Sequence, residues 1–131
     1  MVDEPYIINL NTKKNEKPGF LIPIDDFEVD MKIKRIFYIY GFTDNIDKNN
    51  RGYHAHETTK QVLINIKGSV NIFSKYSGNN KEKTFILDKP DMALVVPPHN
   101  YIKMENFSQD AIFLVLCDTN FSEDIYIYDD K

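Results

Sequence analysis

Arg51-Gly-Tyr-His-Ala-His-Glu-Thr-Thr-Lys-Gln61 is the stretch from which the rest of the chain is read. Side chains two apart on a strand share a face, so His54 and His56 project together while Ala55 points away. Arg51, Lys60 and Gln61 flank the pair, and a polar connection with two Asp and three Asn (residues 43–50) precedes it. Two imidazoles on one face admit two chemistries: a metal site, or acid–base catalysis by groups that titrate near neutrality.

Outward from this segment the apolar residues keep the period of strands rather than helices. Strands are expected at residues 6–9, 20–23, 34–40, 53–57, 61–66, 70–74, 83–87, 93–96, 101–105, 111–116 and 124–128. They are rich in Ile, Val, Phe and Tyr and are separated by turn-formers. Lys67-Gly-Ser69 reads as a tight hairpin; Ser77-Gly-Asn-Asn80, Lys89-Pro-Asp91 and Pro97-Pro-His-Asn100 read as further turns. Short strands at even spacing with almost no helix signal predict an all-β fold: a sandwich, barrel or jelly roll. No repeat or linker divides residues 1–131, so one domain is expected. The terminal strands Tyr6-Ile-Ile-Asn9 and Ile125-Tyr-Ile-Tyr128 suit pairing with an edge of the same or a second chain, and a homodimer with terminal strand exchange is expected.

The composition narrows the function classes. Hydrophobic residues make up 42% and charged residues 27%, which places the chain among ordinary globular proteins rather than disordered ones. A net charge of -4, without a long basic cluster, disfavours nucleic acid as a partner. No run approaches the roughly 20 apolar residues of a membrane-spanning helix, and the N-terminus lacks the pattern of a signal peptide, so a cytoplasmic protein without a membrane partner is expected. Cys117 has no second cysteine to pair with and follows an apolar run, which reads as a buried structural residue.

The spacing His54-Ala-His56, then Gln61, then Gly68 resembles the first cupin motif, which implies a small β-barrel of jelly-roll type. The second cupin motif, laid on Asp91, Pro97, His99, Ile102 and Asn106, keeps its spacing but loses most of its residue types. Cupin metals are usually held by two histidines, a Glu and a second-motif His. The neutral Gln61 and the apolar Ile102 stand at the last two places. Two imidazoles and an amide lack the charge and ligand number for a divalent ion, so no metal is expected. His99, after Pro97-Pro98, reads as a solvated turn residue. The histidines are left to move protons.

In finer detail, Arg-Gly-x-His-Ala-His with Gln five residues on resembles the sugar 3,4-ketoisomerases that act on dTDP-4-keto-6-deoxyglucose. Ile33-Lys-Arg-Ile-Phe-Tyr-Ile-Tyr-Gly41, Pro97-Pro98, Phe107-Ser108 and residues 121–129 extend the resemblance to most of the chain. It implies an isomerase without cofactor that moves a ketone from carbon 4 to carbon 3 through an enediol. The product would feed a 3-amino-3,6-dideoxy sugar for a lipopolysaccharide or S-layer glycan. His54 would be the base on carbon, His56 a proton shuttle between the oxygens or their polariser, and Tyr40 a further site residue. Arg51 would contact the diphosphate or pair with a carboxylate; Gln61 would bind substrate, and Tyr101, where many relatives carry Trp, could stack on a base or sugar. Lys60 and Glu57 read as solvated edge charges. Lys17-Pro18-Gly19, Ile125 and Tyr128 depart from residues common in relatives. The alternatives are a cupin epimerase, whose usual set of His, buried Asp and Tyr is not found at matching places, and a non-catalytic nucleotide-sugar-binding cupin.

Overall fold

The computed structural model describes residues 3–128, so Asp129, the end of one resembling segment, lies outside the described residues. Ten strands form: β1 (Tyr6–Asn9), β2 (Arg35–Ile39), β3 (Arg51–His56), β4 (Gln61–Lys67), β5 (Val70–Tyr76), β6 (Glu82–Leu87), β7 (Met92–Val96), β8 (Asn100–Glu105), β9 (Ile112–Cys117) and β10 (Tyr126–Ile127). They make two five-stranded antiparallel sheets, ordered β1-β7-β4-β9-β2 and β10-β3-β8-β5-β6. Only β5 and β6 are both consecutive and paired; every other connection changes sheet or skips a strand. The result is the expected all-β barrel of jelly-roll type.

Alternation on β4, β7 and β9 turns Leu63, Leu94, Val96, Phe113, Val115 and Cys117 inward. They meet Val70, Ile72, Leu87 and Ile102 of the opposite sheet. Burying a side chain of this size removes enough apolar surface to contribute about 1.5–3 kcal/mol, which makes this layer the main source of cohesion. Cys117 is buried within it, and that burial pushes its thiol up, as befits a structural residue.

The first sheet is apolar on both faces. Val62, Ile64, Ala93, Val95 and Leu116 point out of the barrel and are covered by Leu10, Ile22, Ile24, Val29, Met31 and Ile33. This covering role explains why residues 20–23 do not form the expected strand. Their only ladder contact is the bridge Lys13–Leu21, Pro23 has no N–H to give a ladder, and Ile22 packs flat on the sheet. The same excursion holds a helical turn that the strand pattern did not suggest, α1 (Asp26–Val29). Asp25 caps it by accepting from the Glu28 N–H at 2.9 Å, so Asp-x-x-Glu was its sequence signal.

Lys67-Gly-Ser69 is a corner rather than a hairpin, because β4 and β5 belong to different sheets. Gly68 turns it at φ +78°, and a Cβ there would overlap the Ser108 hydroxyl and lie 2.7 Å from Asp110 Oδ1. The connection over residues 43–50 is held by Asn49, buried at 4% exposure. Its amide donates to the Thr43 and Phe107 carbonyls at 2.9 and 2.8 Å, which fixes where the next strand starts. The last strand, Tyr126–Ile127, is shorter than the expected 124–128, and a 3-10 turn over Phe121–Glu123 precedes it. Replacing Gly68 with Ala should cost roughly 1–3 kcal/mol through backbone strain alone, more if Ser108 cannot move. Urea unfolding of the variant against the native chain measures it.

Candidate active site

Strict alternation would put Arg51 on the opposite face of β3 from His54. A one-residue bulge prevents this. Arg51 pairs with Met104, Gly52 with Lys103 and His54 with Ile102, so Tyr53 is the extra residue. Directly paired residues share a face, and Met104 and Ile102 both pack on the interior. Arg51 and His54 therefore face the same cleft, while Tyr53 sends its hydroxyl to Glu105 Oε2 at 3.0 Å. The bulge needs left-handed backbone at Gly52 (φ +95°) and Tyr53 (φ +61°). At Gly52 a Cβ would stand 3.0 Å from Met104 Cε and 3.1 Å from the Ile102 carbonyl, so only glycine fits closely.

The two imidazoles meet as the sequence predicts, with ring centroids 4.8 Å apart and planes at 75°. His54 Nδ1 lies 3.0 Å from the Gly52 carbonyl. A carbonyl only accepts, so Nδ1 carries the proton and the lone pair of the neutral ring sits on Nε2. His56 Nδ1 donates to Asp124 Oδ1 at 2.7 Å, and both side chains are buried, at 4% and 1% exposure. Thr59 donates its hydroxyl to the same oxygen at 2.8 Å, and Thr119 therefore donates to Thr59 at 2.7 Å. This chain of donors fixes the plane and tautomer of His56. Tyr126 completes the group. Its ring stacks on His54 at 4.5 Å and 4° and stands edge-on to His56 at 4.9 Å.

Asp124 and Tyr126 arrive through the pairing of β10 with β3, in which Tyr126 opposes His56 and Ile127 opposes Ala55. The set of His, buried Asp and Tyr that sequence reading did not find is therefore present, as His56, Asp124 and Tyr126. The contact spans 68 positions, so no local spacing betrays it.

A cleft of about 780 Å³ opens between β2 and the histidine strand. His54, Tyr40, Arg51 and Gln61 line it, together with Arg35 and Tyr126, which were not singled out from the sequence. Arg35 and Arg51 bring two cations, and no carboxylate lines the cleft among the described residues. The Arg35 guanidinium is held between the rings of Phe37 (4.6 Å) and Phe121 (5.0 Å). Gln61 donates to Cys117 Sγ at 3.5 Å. Tyr101 lies on β8 opposite Lys75 and outside the cleft lining, and His56 stands behind His54 rather than in the lining. His99 is exposed in its turn, as expected, and its N–H donates to the His56 carbonyl at 2.8 Å. Among the described residues no three His, Cys, Asp or Glu side chains converge on one point.

Loss of hydration on burial pushes the His54 imidazole below its usual pKa of 6.5; the Gly52 carbonyl and Asp124 oppose this, and His56 adds to it. An NMR titration should therefore place the His54 midpoint below 6.5, with Nδ1–H and bare Nε2 above it. In Asp124→Asn the ¹⁵N signature of a protonated His56 Nδ1 should give way to a mixture of tautomers.

Comparison with known proteins bears on this geometry. The FdtA family (WxcM-like, C-terminal) matches residues 3–131. A TDP-4-oxo-6-deoxy-alpha-D-glucose-3,4-oxoisomerase of Aneurinibacillus thermoaerophilus is 32% identical over 125 residues, which are 95% of this chain and 86% of the relative. QdtA, a sugar 3,4-ketoisomerase from Thermoanaerobacterium thermosaccharolyticum solved in complex with TDP, superposes with a TM-score of 0.84 at 30% identity, covering 98% of this chain and 90% of its own. The WlaRB TDP-quinovose 3,4-ketoisomerase from Campylobacter jejuni superposes with a TM-score of 0.86 at 31% identity, covering 98% and 95%.

Proposed function

The chain belongs to the FdtA, WxcM-like family, and on that premise we propose that its cleft isomerises dTDP-4-keto-6-deoxyglucose to the 3-keto sugar. The observation that carries this reading is the bare Nε2 of a neutral His54 in a cleft with two arginines and no carboxylate.

The hydrogen on carbon 3 is acidified by the neighbouring carbonyl. His54 Nε2 takes it, the C–H electrons form the carbon 3–carbon 4 double bond, and the carbon 4 oxygen gains a proton. The resulting enediol then loses the proton of the carbon 3 hydroxyl, and carbon 4 takes a proton from the His54 imidazolium, whose N–H has exchanged with solvent. Atoms and charge balance without a redox partner, and the chemistry asks only for a base near neutrality and a proton carrier at the oxygens.

We assign the carbon base to His54, because it lines the cleft and its weakened basicity keeps it neutral at pH 7. The oxygen side falls to His56, whose Nδ1 is occupied by Asp124 and whose Nε2 is left to exchange protons. Arg51 and Arg35 suit the diphosphate, since a guanidinium offers paired donors to phosphate oxygens. Tyr40 and Gln61 line the same cleft, which supports a role for them in contacting the sugar. Tyr101 keeps only a contact with a part of the nucleotide reaching beyond the cleft.

A 3-ketone is the electrophile that an aminotransferase needs, which favours a product destined for a 3-amino sugar. We also retain the homodimer as our reading, because β1 and β10, which pair within the chain here, are edge strands with one free side. No helix of the described residues is long and apolar enough to cross a membrane.

The His56–Asp124–Tyr126 grouping favours one second reading, an epimerase of the same substrate class. Incubation with dTDP-4-keto-6-deoxyglucose in deuterated water separates the two. The expected NMR product is a 3-ketone carrying deuterium at carbon 4; a 4-ketone with inverted ring carbons would replace isomerisation by epimerisation.

A further inference from the structure

The reaction above assigns no work to Tyr126, yet its ring is the surface that His54 touches most squarely. The two planes differ by 4° with centroids 4.5 Å apart. Tyr126 is held there by the ladder of β10 on β3, where it opposes His56, and by the Glu57 N–H donating to the Ile125 carbonyl at 2.9 Å. A side chain that only filled space would need no such alignment.

The alignment matters at one moment. Between leaving carbon 3 and reaching carbon 4, the proton makes His54 an imidazolium in a partly desolvated place. The groups that face it there are His56 on its own strand, Asp124 and Tyr128 from the C-terminal segment, and Arg51 and Arg35 on the cleft walls. The arginines and His56 do not help a cation; the Gly52 carbonyl and Asp124 do, but Asp124 Oδ1 is shared with His56 and Thr59. An aromatic face attracts a cation through its quadrupole while costing the neutral base almost nothing.

We propose that Tyr126 is a positioning residue whose ring holds the plane of His54 toward the cleft and stabilises its imidazolium while the proton is in transit. The proposal rests on the assignment of His54 as the carbon base. It concerns the ring and not the phenol hydroxyl, which makes it separable by substitution. Tyr126→Phe keeps the aromatic face; Tyr126→Ile removes it with a residue that favours strand, and Tyr126→Leu is a second non-aromatic variant should the first misfold.

Two measurements on the full chain test it: the His54 titration by NMR without substrate, and the pH dependence of kcat/KM with the keto sugar. His54 must be neutral to accept the proton, so kcat/KM falls as pH drops through its pKa. Loss of the ring destabilises the imidazolium and lowers that pKa, moving the acid limb to lower pH. The aliphatic variants should shift both midpoints down by roughly half to one pH unit, the size of a partly desolvated cation–π contact. They should also lower kcat on the plateau, and Tyr126→Phe should keep the native midpoint in both the His54 titration and the acid limb. A native His54 midpoint in the aliphatic variants would overturn the proposal, as would a Phe variant that falls as far as they do. Because the titration needs no substrate, the expected shift in a protein that turned over no keto sugar would count against the reaction and not against the ring contact.

Discussion

The bulge at Gly52-Tyr53 is the constraint on which the site depends. One unpaired residue changes the parity of β3, so Arg51 and His54 look into the same cleft instead of opposite ways. It also brings the Gly52 carbonyl under His54 Nδ1, which fixes the basic nitrogen on the cleft side. The cost is left-handed backbone at a glycine and at a tyrosine, and a residue held in such a region draws on its surroundings to stay there. Here those surroundings are the β8 pairing on both sides of the bulge and the Tyr53–Glu105 hydrogen bond.

The second dependence is on the C-terminal segment. β10 contributes only two paired residues, yet the segment supplies Asp124 beneath His56 and Tyr126 beside His54. The two histidines thus meet different surroundings despite sharing a face. His56 is buried and bound to a carboxylate, whereas His54 is bound to a carbonyl and open to the cleft. Placing two like groups in unlike settings suits the proposed division, in which one exchanges a proton with carbon and the other serves oxygen. Arg35 adds a third remote piece, fixed between two aromatic rings so that its donors stay at the cleft wall.

Much of this was legible from the residues. Strand period located the ladders, with small shifts at their ends, and residues 6–9 match β1 at both ends. The shared face of His54 and His56 followed from a period of two. What escaped had physical causes. Residues 20–23 look like a strand because covering a sheet and joining one both call for Ile and Leu. Lys67-Gly-Ser69 looks like a hairpin because a corner between sheets uses the same glycine conformation. The bulge was hidden because the expected strand began at residue 53, which left Gly52, the kind of residue that marks a bulge, outside it. Asp124 was hidden because its partner lies far away in sequence, and Tyr126 because its neighbours Ile125 and Ile127 present it as an ordinary strand aromatic.

The claim at the centre is that the proton leaves carbon 3 to His54 and not to His56. Proton exchange at carbon 3 of the keto sugar in deuterated water, followed by NMR in His54→Asn and His56→Asn, tests it most directly. Loss of exchange in His54→Asn, with slower but measurable exchange in His56→Asn, is the predicted result. Exchange at the native rate in His54→Asn would contradict it.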